Sequence, residues 1–257
     1  MPSRPDPTIA ELRAVAQPAT VLGRPNAEHW MGKRLRRFSI YATRFALRVG
    51  LSANATTGLM IVVGLVAAAA FSAPGWWALF GVIGIQLYLL LDCSDGEIAR
   101  WNGSESAVGV YLDRLGHYLV EAAIPIAVGL RVGGWEANGW LVLGMATAIA
   151  ILLSKAETDL VDMARHQAGM GKMTDAARTM RPKSLAAGRR LAASLPFHRI
   201  VHAVEASLIL GVAIVIDELA DTDAWTRGVL IALAVSAVLT AALHLVSVLT
   251  STRLTAE

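Results

Sequence analysis

Two carboxylates, Asp92 and Asp95, lie near the end of a long apolar run, in the stretch LDCSDGEIARW that covers residues 91–101. A charged side chain costs about 2.5–3.5 kcal/mol at the middle of a membrane and less near the ends of a span. Such residues persist where a function or a partner holds them. The pair therefore indicates a functional site or, as the plainer alternative, charges at a helix end that reach out to water.

One helical stripe carries both acids, because Asp92, Asp95, Gly96, Ala99 and Arg100 have offsets of 0, 3, 4, 7 and 8. The stripe combines two carboxylates, two positions with almost no side chain and one cation. The bare positions let a bulky ligand approach closely, and the cation can pair with a phosphate. A cation at this place is also typical of a simple anchor on the cytoplasmic side.

A second stripe follows in the next apolar run, where Gly109, Asp113 and His117 recur at steps of four. Only the short turn WNGSES separates the runs, so we expect antiparallel neighbouring helices whose stripes face one cavity. Three carboxylates in one site would repel each other, and divalent cations remove that conflict. Hard oxygen ligands suit Mg²⁺ or Mn²⁺, and two such metals can hold a diphosphate for an in-line displacement. The residues therefore predict phosphoryl-type transfer.

The elements that carry these stripes are predicted to be membrane-spanning helices. The 257 residues are 55% hydrophobic, and several apolar runs reach the roughly 20 residues that a bilayer requires. Their content of Ala, Val, Leu and Ile favours helices over barrel strands. We predict an all-α integral membrane protein with six spans, near 53–72, 76–100, 107–130, 138–161, 200–217 and 226–250.

A basic amphipathic helix is predicted before the first span. Its apolar residues recur at steps of four and three, and they are Met31, Leu35, Phe38, Ala42, Phe45 and Val49. Such a helix lies in the plane of the lipid headgroups, unless it packs as a soluble helix on a neighbour. The predicted organisation is a flexible segment 1–26 without a visible secretory signal, the amphipathic helix 27–50, the transmembrane catalytic domain 51–250 with a loop at 161–199, and a tail 251–257.

The distribution of charge predicts the orientation. Residues 1–51 hold nine Lys and Arg against three Asp and Glu, and residues 161–199 hold eight against two. Because basic segments stay inside, we expect the loop, both termini and the site at the cytoplasmic face of the cell (inner) membrane. Tryptophans fall near the opposite interface, at Trp76, Trp77, Trp135, Trp140 and Trp225. The one cysteine, Cys93, excludes an internal disulfide.

The two stripes resemble the signature of the CDP-alcohol phosphotransferase family. Seven of its eight positions match at the correct spacings, namely Asp92, Asp95, Gly96, Ala99, Arg100, Gly109 and Asp113. His117 stands where the family has a final Asp. The resemblance covers roughly residues 30–250, and it includes the stretch SANATT with Asn54 and Thr57 at the start of the first span.

This resemblance implies the transfer of a phospho-alcohol group from a CDP-alcohol, such as CDP-diacylglycerol, to an alcohol acceptor, with release of CMP in phospholipid or glycolipid biosynthesis. It implies a two-metal site with Mg²⁺ or Mn²⁺ on Asp92, Asp95, Asp113 and His117. The implied nucleotide contacts are Asp92, Gly96, Ala99, Arg100 and Gly109. The implied catalytic pair is Asp113 and His117, with His117 at the position of the base for the acceptor hydroxyl. A histidine in a membrane helix can also be a packing residue.

Basic residues near the cytoplasmic mouth could recognise a phosphorylated acceptor, and these are Lys155, Arg178 and Arg181. The alternative is ordinary positive-inside charge. His198, His202 and Glu205 could line the cavity or cap a helix. The expected partners are the CDP-alcohol donor, the alcohol acceptor and membrane lipids, with a homodimer implied by the family and no nucleic acid.

Two other functions are compatible with parts of this pattern. A catalytically silent relative would bind nucleotide or lipid as a scaffold, and the loss of the final Asp is its support. A polyprenyl-transferase-like enzyme needs a second Asp-rich motif in a later helix, which the sequence lacks. A transporter is disfavoured because the ionisable residues cluster at one end of the helices.

Overall fold

The structure, a computed structural model, describes residues 6–19, 30–170, 200–251 and 253–254. Its regular elements in these residues are helices, which confirms the all-α fold. They are α1 (Ile9–Ala16), α2 (Trp30–Arg48), α3 (Ala53–Ala70), α4 (Leu79–Asn102, after a 3₁₀ turn at Gly75–Ala78), α5 (Ala107–Val132), α6 (Gly139–Gln167), α7 (Ala203–Ala220) and α8 (Ala224–Thr250).

Five helices in the described part of the chain are long and apolar enough to span a membrane, namely α3, α4 with its 3₁₀ turn, α5, α6 and α8. They correspond to five of the six predicted spans. The remaining segment forms α7, whose 18 residues include the acids Glu205, Asp217 and Glu218. This helix does not meet the same measure of length and composition, so its passage through a membrane stays a prediction.

Two of the three acids in α7 have structural partners at its C-terminal end. Asp217 is buried and accepts hydrogen bonds from the backbone N–H groups of Trp225 and Thr226, over 3.0 and 2.7 Å. It therefore caps the first turn of α8, where the N–H groups have no partner inside the helix. Glu218 pairs with Arg131, whose Nη2 lies 2.6 Å from its Oε1.

The chain divides into two compact units, and the boundary falls within α5. The first unit comprises residues 1–73 and 77–120, and in it α3 packs closely on α4. A Cβ on Gly84 would lie 2.5 Å from the Cβ of Ala67, so glycine permits this approach. The second unit comprises residues 74–76 and 121–257. There, the absence of a side chain at Gly144 of α6 allows its backbone to contact that of Pro125 in α5.

Helix α2 lies within the predicted segment 27–50 and presents two different faces. Ser39, Ile40 and Thr43 are buried against the first unit, whereas Phe38 and Phe45 are 65% and 66% exposed. Three residues of the predicted apolar stripe, Phe38, Phe45 and Val49, therefore stay exposed, which suits contact with lipid, while a narrower face packs on protein. The position of α2 at a membrane surface remains a prediction.

Helix α1 lies within the segment that was predicted to be flexible. Thr8 and Glu11 form a capping box, in which each side chain accepts a hydrogen bond from the backbone N–H of the other residue. Leu12 and Ala16 then form a small buried cluster with Ile40 of α2. Local capping and this packing explain why a helix forms in a segment whose Pro-rich and Ala-rich composition did not predict one.

Candidate active site

A cavity of about 690 Å³ opens in the first unit, and all residues of the two predicted stripes except Arg100 line it. The start of α3, the end of α4, the turn after it and the first turns of α5 form its wall. The lining residues are Ala53, Asn54, Thr57, Asp92, Asp95, Gly96, Ala99, Ser104, Glu105, Ser106, Ala107, Gly109, Val110, Asp113 and His117.

Local sequence signals end and begin the helices around this cavity. Gly103 has a φ of +61°, a left-handed conformation that ends α4 and that glycine adopts without strain. Ser106 then accepts a hydrogen bond of 3.1 Å from the N–H of Gly109, and Ser52 caps α3 by accepting one of 3.2 Å from the N–H of Ala55. The short turn thereby brings the end of α4 beside the start of α5.

Asp92, Asp113 and His117 form a tight cluster on the cavity wall. The Nε2 of His117 lies 2.9 Å from Oδ1 of Asp92 and 3.7 Å from Oδ1 of Asp113. One ligand atom from each residue lies within 4.8 Å of the other two. Their side chains are 25%, 42% and 27% exposed in chain order, so a ligand in the cavity can reach them.

Asp95 lines the same cavity in a more enclosed position. It is 7% exposed, and its Oδ2 accepts a hydrogen bond of 2.7 Å from the hydroxyl of Thr57. The structure thus brings Asp95 to the cavity, although it lies outside the three-residue cluster. Thr57 holds one of its oxygens from α3.

The small residues of the signature also lie on the cavity wall, where a ligand would bind. Gly96, Ala99 and Gly109 line the cavity, and a Cβ on Gly109 would lie 3.2 Å from Oδ1 of Asn54. A larger residue at Gly109 would therefore press on Asn54 and narrow the space between α3 and α5.

Arg100 differs from its predicted neighbours in the signature. Its Nε donates a hydrogen bond of 2.7 Å to the carbonyl of Ala16 at the end of α1, and a Cβ on Gly96 would lie 3.2 Å from its Nη1. The bare backbone of Gly96 therefore makes room for the guanidinium. Arg100 stands behind Gly96 and does not belong to the lining of the cavity in the described residues.

The cluster fits a hard divalent cation. The carboxylate oxygens suit Mg²⁺ or Mn²⁺, and the imidazole nitrogen favours Mn²⁺ of the two. When each metal–ligand bond is about 2.1 Å long, neighbouring ligands of an octahedral ion lie about 3 Å apart. The 2.9 Å between Asp92 and His117 meets this spacing. Charge favours binding as well, because four carboxylates line the cavity, namely those of Asp92, Asp95, Glu105 and Asp113.

Sequence reasoning missed two residues that support the site. The hydroxyl of Tyr88 lies 2.6 Å from Nδ1 of His117, and Glu97 is fully buried with hydrogen bonds from α2. Tyr88 precedes Asp92 by four residues and so shares its helix face, which is a signal that the sequence contains. Glu97 is a charge inside a spanning run beside the signature, and its insertion cost is a signal of the same kind.

Of the proposed acceptor residues, the structure describes Lys155. Lys155 belongs to the second unit, where its Nζ lies 2.9 Å from Oε1 of Glu121. Arg178, Arg181 and His198 lie outside the described residues. His202 immediately precedes α7, and Glu205 lies in its first turn.

The family model described as CDP-alcohol phosphatidyltransferase matches residues 51–251. The chain belongs to this family, which confirms the family predicted from the signature. No curated protein sequence matches the chain. Membership points to a transferase of phospho-alcohol groups in lipid synthesis, to CDP-alcohol and alcohol substrates, and to dependence on a divalent metal. The apolar helices suggest a multi-pass membrane protein.

Proposed function

We propose that this protein transfers a phospho-alcohol group from a CDP-alcohol, of the CDP-diacylglycerol kind, to an alcohol acceptor and releases CMP. The observation that carries the proposal is the cluster of Asp92, Asp113 and His117 on the wall of a large cavity. The family membership of the chain supports the same reaction.

The carboxylates have the role of metal ligands in this proposal. Asp92 and Asp113 would hold the cation together with His117, and Asp95 would supply a ligand for a second cation. The cation is Mg²⁺ or Mn²⁺, and when bound it neutralises the diphosphate and stabilises the charge that develops on the departing CMP. Thr57 orients Asp95 through its 2.7 Å hydrogen bond.

The bare and cationic positions have the role of receiving the nucleotide. Gly96, Ala99 and Gly109 leave room along the cavity wall for the diphosphate and the cytidine. Arg100, which Ala16 holds behind Gly96, places positive charge next to this path. Asp92 contributes to nucleotide binding through the shared metal.

The chemical step requires a base near the acceptor hydroxyl. When His117 does not ligate the cation, the acceptor O–H gives its proton to Nε2 of His117, and its oxygen forms a bond to the phosphorus that carries the donor alcohol. The bond from this phosphorus to the bridging oxygen breaks, and CMP leaves with the electron pair. Because Nε2 has a single lone pair, it cannot ligate a metal and take the proton in the same step. Asp113, 3.7 Å away and more exposed, is then the second candidate for the proton.

The cellular setting belongs to the same proposal. The excess of basic residues in segments 1–51 and 161–199 supports a site that opens to the cytoplasm from the inner membrane, with both termini on that side. Membrane lipids surround the spans, and the protein works as a homodimer. Lys155, Arg178 and Arg181 bind the acceptor where that acceptor carries a phosphate.

A catalytically silent scaffold is the second candidate, and the histidine at position 117 is the observation that favours it. The experiment that separates the two is a screen of purified protein with Mg²⁺ or Mn²⁺ against a panel of CDP-alcohols and acceptors, with CMP as the readout. We expect CMP release by the wild type and none by Asp113→Asn. Asp221→Asn is the matched control, since Asp221 lies exposed in the turn before α8, where Asn also tolerates a φ of 51°. Binding of nucleotide by wild type without CMP release across the panel would favour the scaffold.

A further inference from the structure

We infer that Tyr88 is a positioning residue for His117. Its hydroxyl keeps a hydrogen bond to Nδ1 in either neutral tautomer of the imidazole, so that Nε2 always faces Asp92 and Asp113. The part of this inference that concerns metal-loaded protein rests on the proposed function. The contact between Tyr88 and His117 is independent of it. Tyr88 lies outside the eight positions of the family signature.

The geometry fixes both nitrogens of the imidazole. The hydroxyl of Tyr88, which is fully buried, lies 2.6 Å from Nδ1, and Oδ1 of Asp92 lies 2.9 Å from Nε2. The two rings meet edge to face, with centroids 5.8 Å apart and an interplanar angle of 83°. His117 is therefore held from both sides, by two residues of α4 that are one turn apart.

A third helix fixes the ring of Tyr88. A Cβ on Gly64 of α3 would lie 2.7 Å from Cδ2 of Tyr88, so the tyrosine packs directly against the α3 backbone. Its hydroxyl consequently points at His117 from a packed position and needs no ordering when a ligand arrives.

The chemistry explains why a hydroxyl is suited to this place. To ligate a metal or to take a proton, Nε2 must present its lone pair, so the ring hydrogen resides on Nδ1 and needs an acceptor. When Nε2 instead donates to Asp92, Nδ1 becomes an acceptor and needs a donor. A phenol can do both by rotating its O–H bond, whereas a carboxylate or carbonyl partner can only accept. Tyr88 therefore lets the imidazole change tautomer without leaving its position.

The test uses full-length protein in lipid nanodiscs with ¹⁵N-labelled histidine. His117→Asn identifies the His117 signals by their loss. In wild type we expect a single tautomer with hydrogen on Nε2 before metal is added, and hydrogen on Nδ1 at saturating Mg²⁺. In Tyr88→Phe we expect a mixture of tautomers without metal and a Kd for Mn²⁺, measured by electron paramagnetic resonance, that rises by roughly 10- to 100-fold, as for other residues that orient a metal ligand.

Tyr111→Phe is the matched control, because Tyr111 lies on the same helix as His117 but is 65% exposed. It should behave as wild type in both measurements. Unchanged tautomers and an unchanged Mn²⁺ Kd in Tyr88→Phe would overturn the inference. If Tyr88→Phe does not fold, the wild type still decides, since a metal-free His117 with mixed tautomers contradicts the role of Tyr88. Wild type that binds no divalent metal, or that keeps its hydrogen on Nε2 when loaded with Mg²⁺, would instead overturn the role of His117 as a metal ligand in the proposed function.

Discussion

The hydroxyl of Thr43 donates a hydrogen bond of 2.6 Å to Oε2 of Glu97, and neither residue is exposed to solvent. Ser39 and Gln17 donate to Oε1 of the same carboxylate, over 2.6 and 2.7 Å. One buried glutamate therefore ties α2 and the end of α1 to α4, the helix that carries Asp92.

Removal of this carboxylate should destabilise the first unit. Glu97→Ala leaves three donors without their acceptor, and we expect the free energy of unfolding to fall by about 3 kcal/mol. Glu97→Gln keeps one acceptor oxygen and should cost less. Thermal unfolding of detergent-solubilised protein measures both, with Glu136→Ala as the control because Glu136 lies exposed in the turn before α6. Equal midpoints for the two alanine variants would mean that the Glu97 network does not anchor the helices.

Thr57 should affect metal binding through its hydrogen bond to Asp95. Thr57→Val keeps the shape of the side chain but removes the 2.7 Å hydrogen bond to Oδ2 of Asp95. We expect the metal concentration for half-maximal CMP release to rise by about 10-fold or more, since partners of ligating carboxylates tune metal affinity. Thr57→Ser restores the hydroxyl and should recover most of the loss. A valine variant with unchanged metal dependence would show that Asp95 needs no support from α3.

The N-terminal segment should loosen at low pH. A hydrogen bond from Arg48, with a second from Arg44, holds the pKa of Asp6 below its ordinary value. A carboxyl with a lowered pKa contributes stability that is full above its unfolded pKa and is lost as the pH falls through its folded pKa. We therefore expect wild type to exceed Asp6→Asn in thermal stability by a small, constant amount near neutral pH, since Asp6 and Arg48 are exposed. The gap should close as the pH falls below the ordinary pKa of an aspartate, and a gap that widens on acidification would contradict the role of the pair.

Substitution of Lys155 tests whether this residue binds the acceptor or only forms a structural ion pair. If Lys155 binds an acceptor phosphate, Lys155→Gln should raise the acceptor KM by 10-fold or more and leave the KM of the CDP-alcohol unchanged. Glu121→Gln removes its partner in the 2.9 Å ion pair but keeps the cation, so the acceptor KM should then change little. Equal effects of the two variants on stability, without any change in acceptor KM, would indicate that the pair is only structural.

The sequence predicted the residues of the site because they are local in sequence. Asp92 and Asp95 share a helix face with Gly96. The predicted turn WNGSES has only six residues, so α5 must pack beside α4. The period of the helix and the length of the turn were therefore sufficient to place Asp113 and His117 at the same cavity.

The remaining contacts depend on tertiary packing, which periodicity does not encode. Tyr88 meets His117 across 29 residues of chain, Thr43 meets Glu97 across 54, and Ala16 meets Arg100 across 84. For a related reason, hydropathy alone does not decide whether α7 spans the membrane. Hydropathy counts Asp217 as a charge in an apolar run, whereas the fold uses it as a helix cap.

The most direct test of the account measures metal-dependent CMP release by wild type, His117→Asp and His117→Ala in one preparation. A neutral imidazole is a softer ligand than a carboxylate and adds no negative charge, so wild type should prefer Mn²⁺ more strongly than His117→Asp does. We predict CMP release by wild type with Mn²⁺, a shift toward Mg²⁺ in His117→Asp, and loss of most turnover with retained nucleotide binding in His117→Ala. CMP release by wild type without any divalent metal, or by His117→Ala at the wild-type rate, would contradict the claim that Asp92, Asp113 and His117 form the catalytic centre.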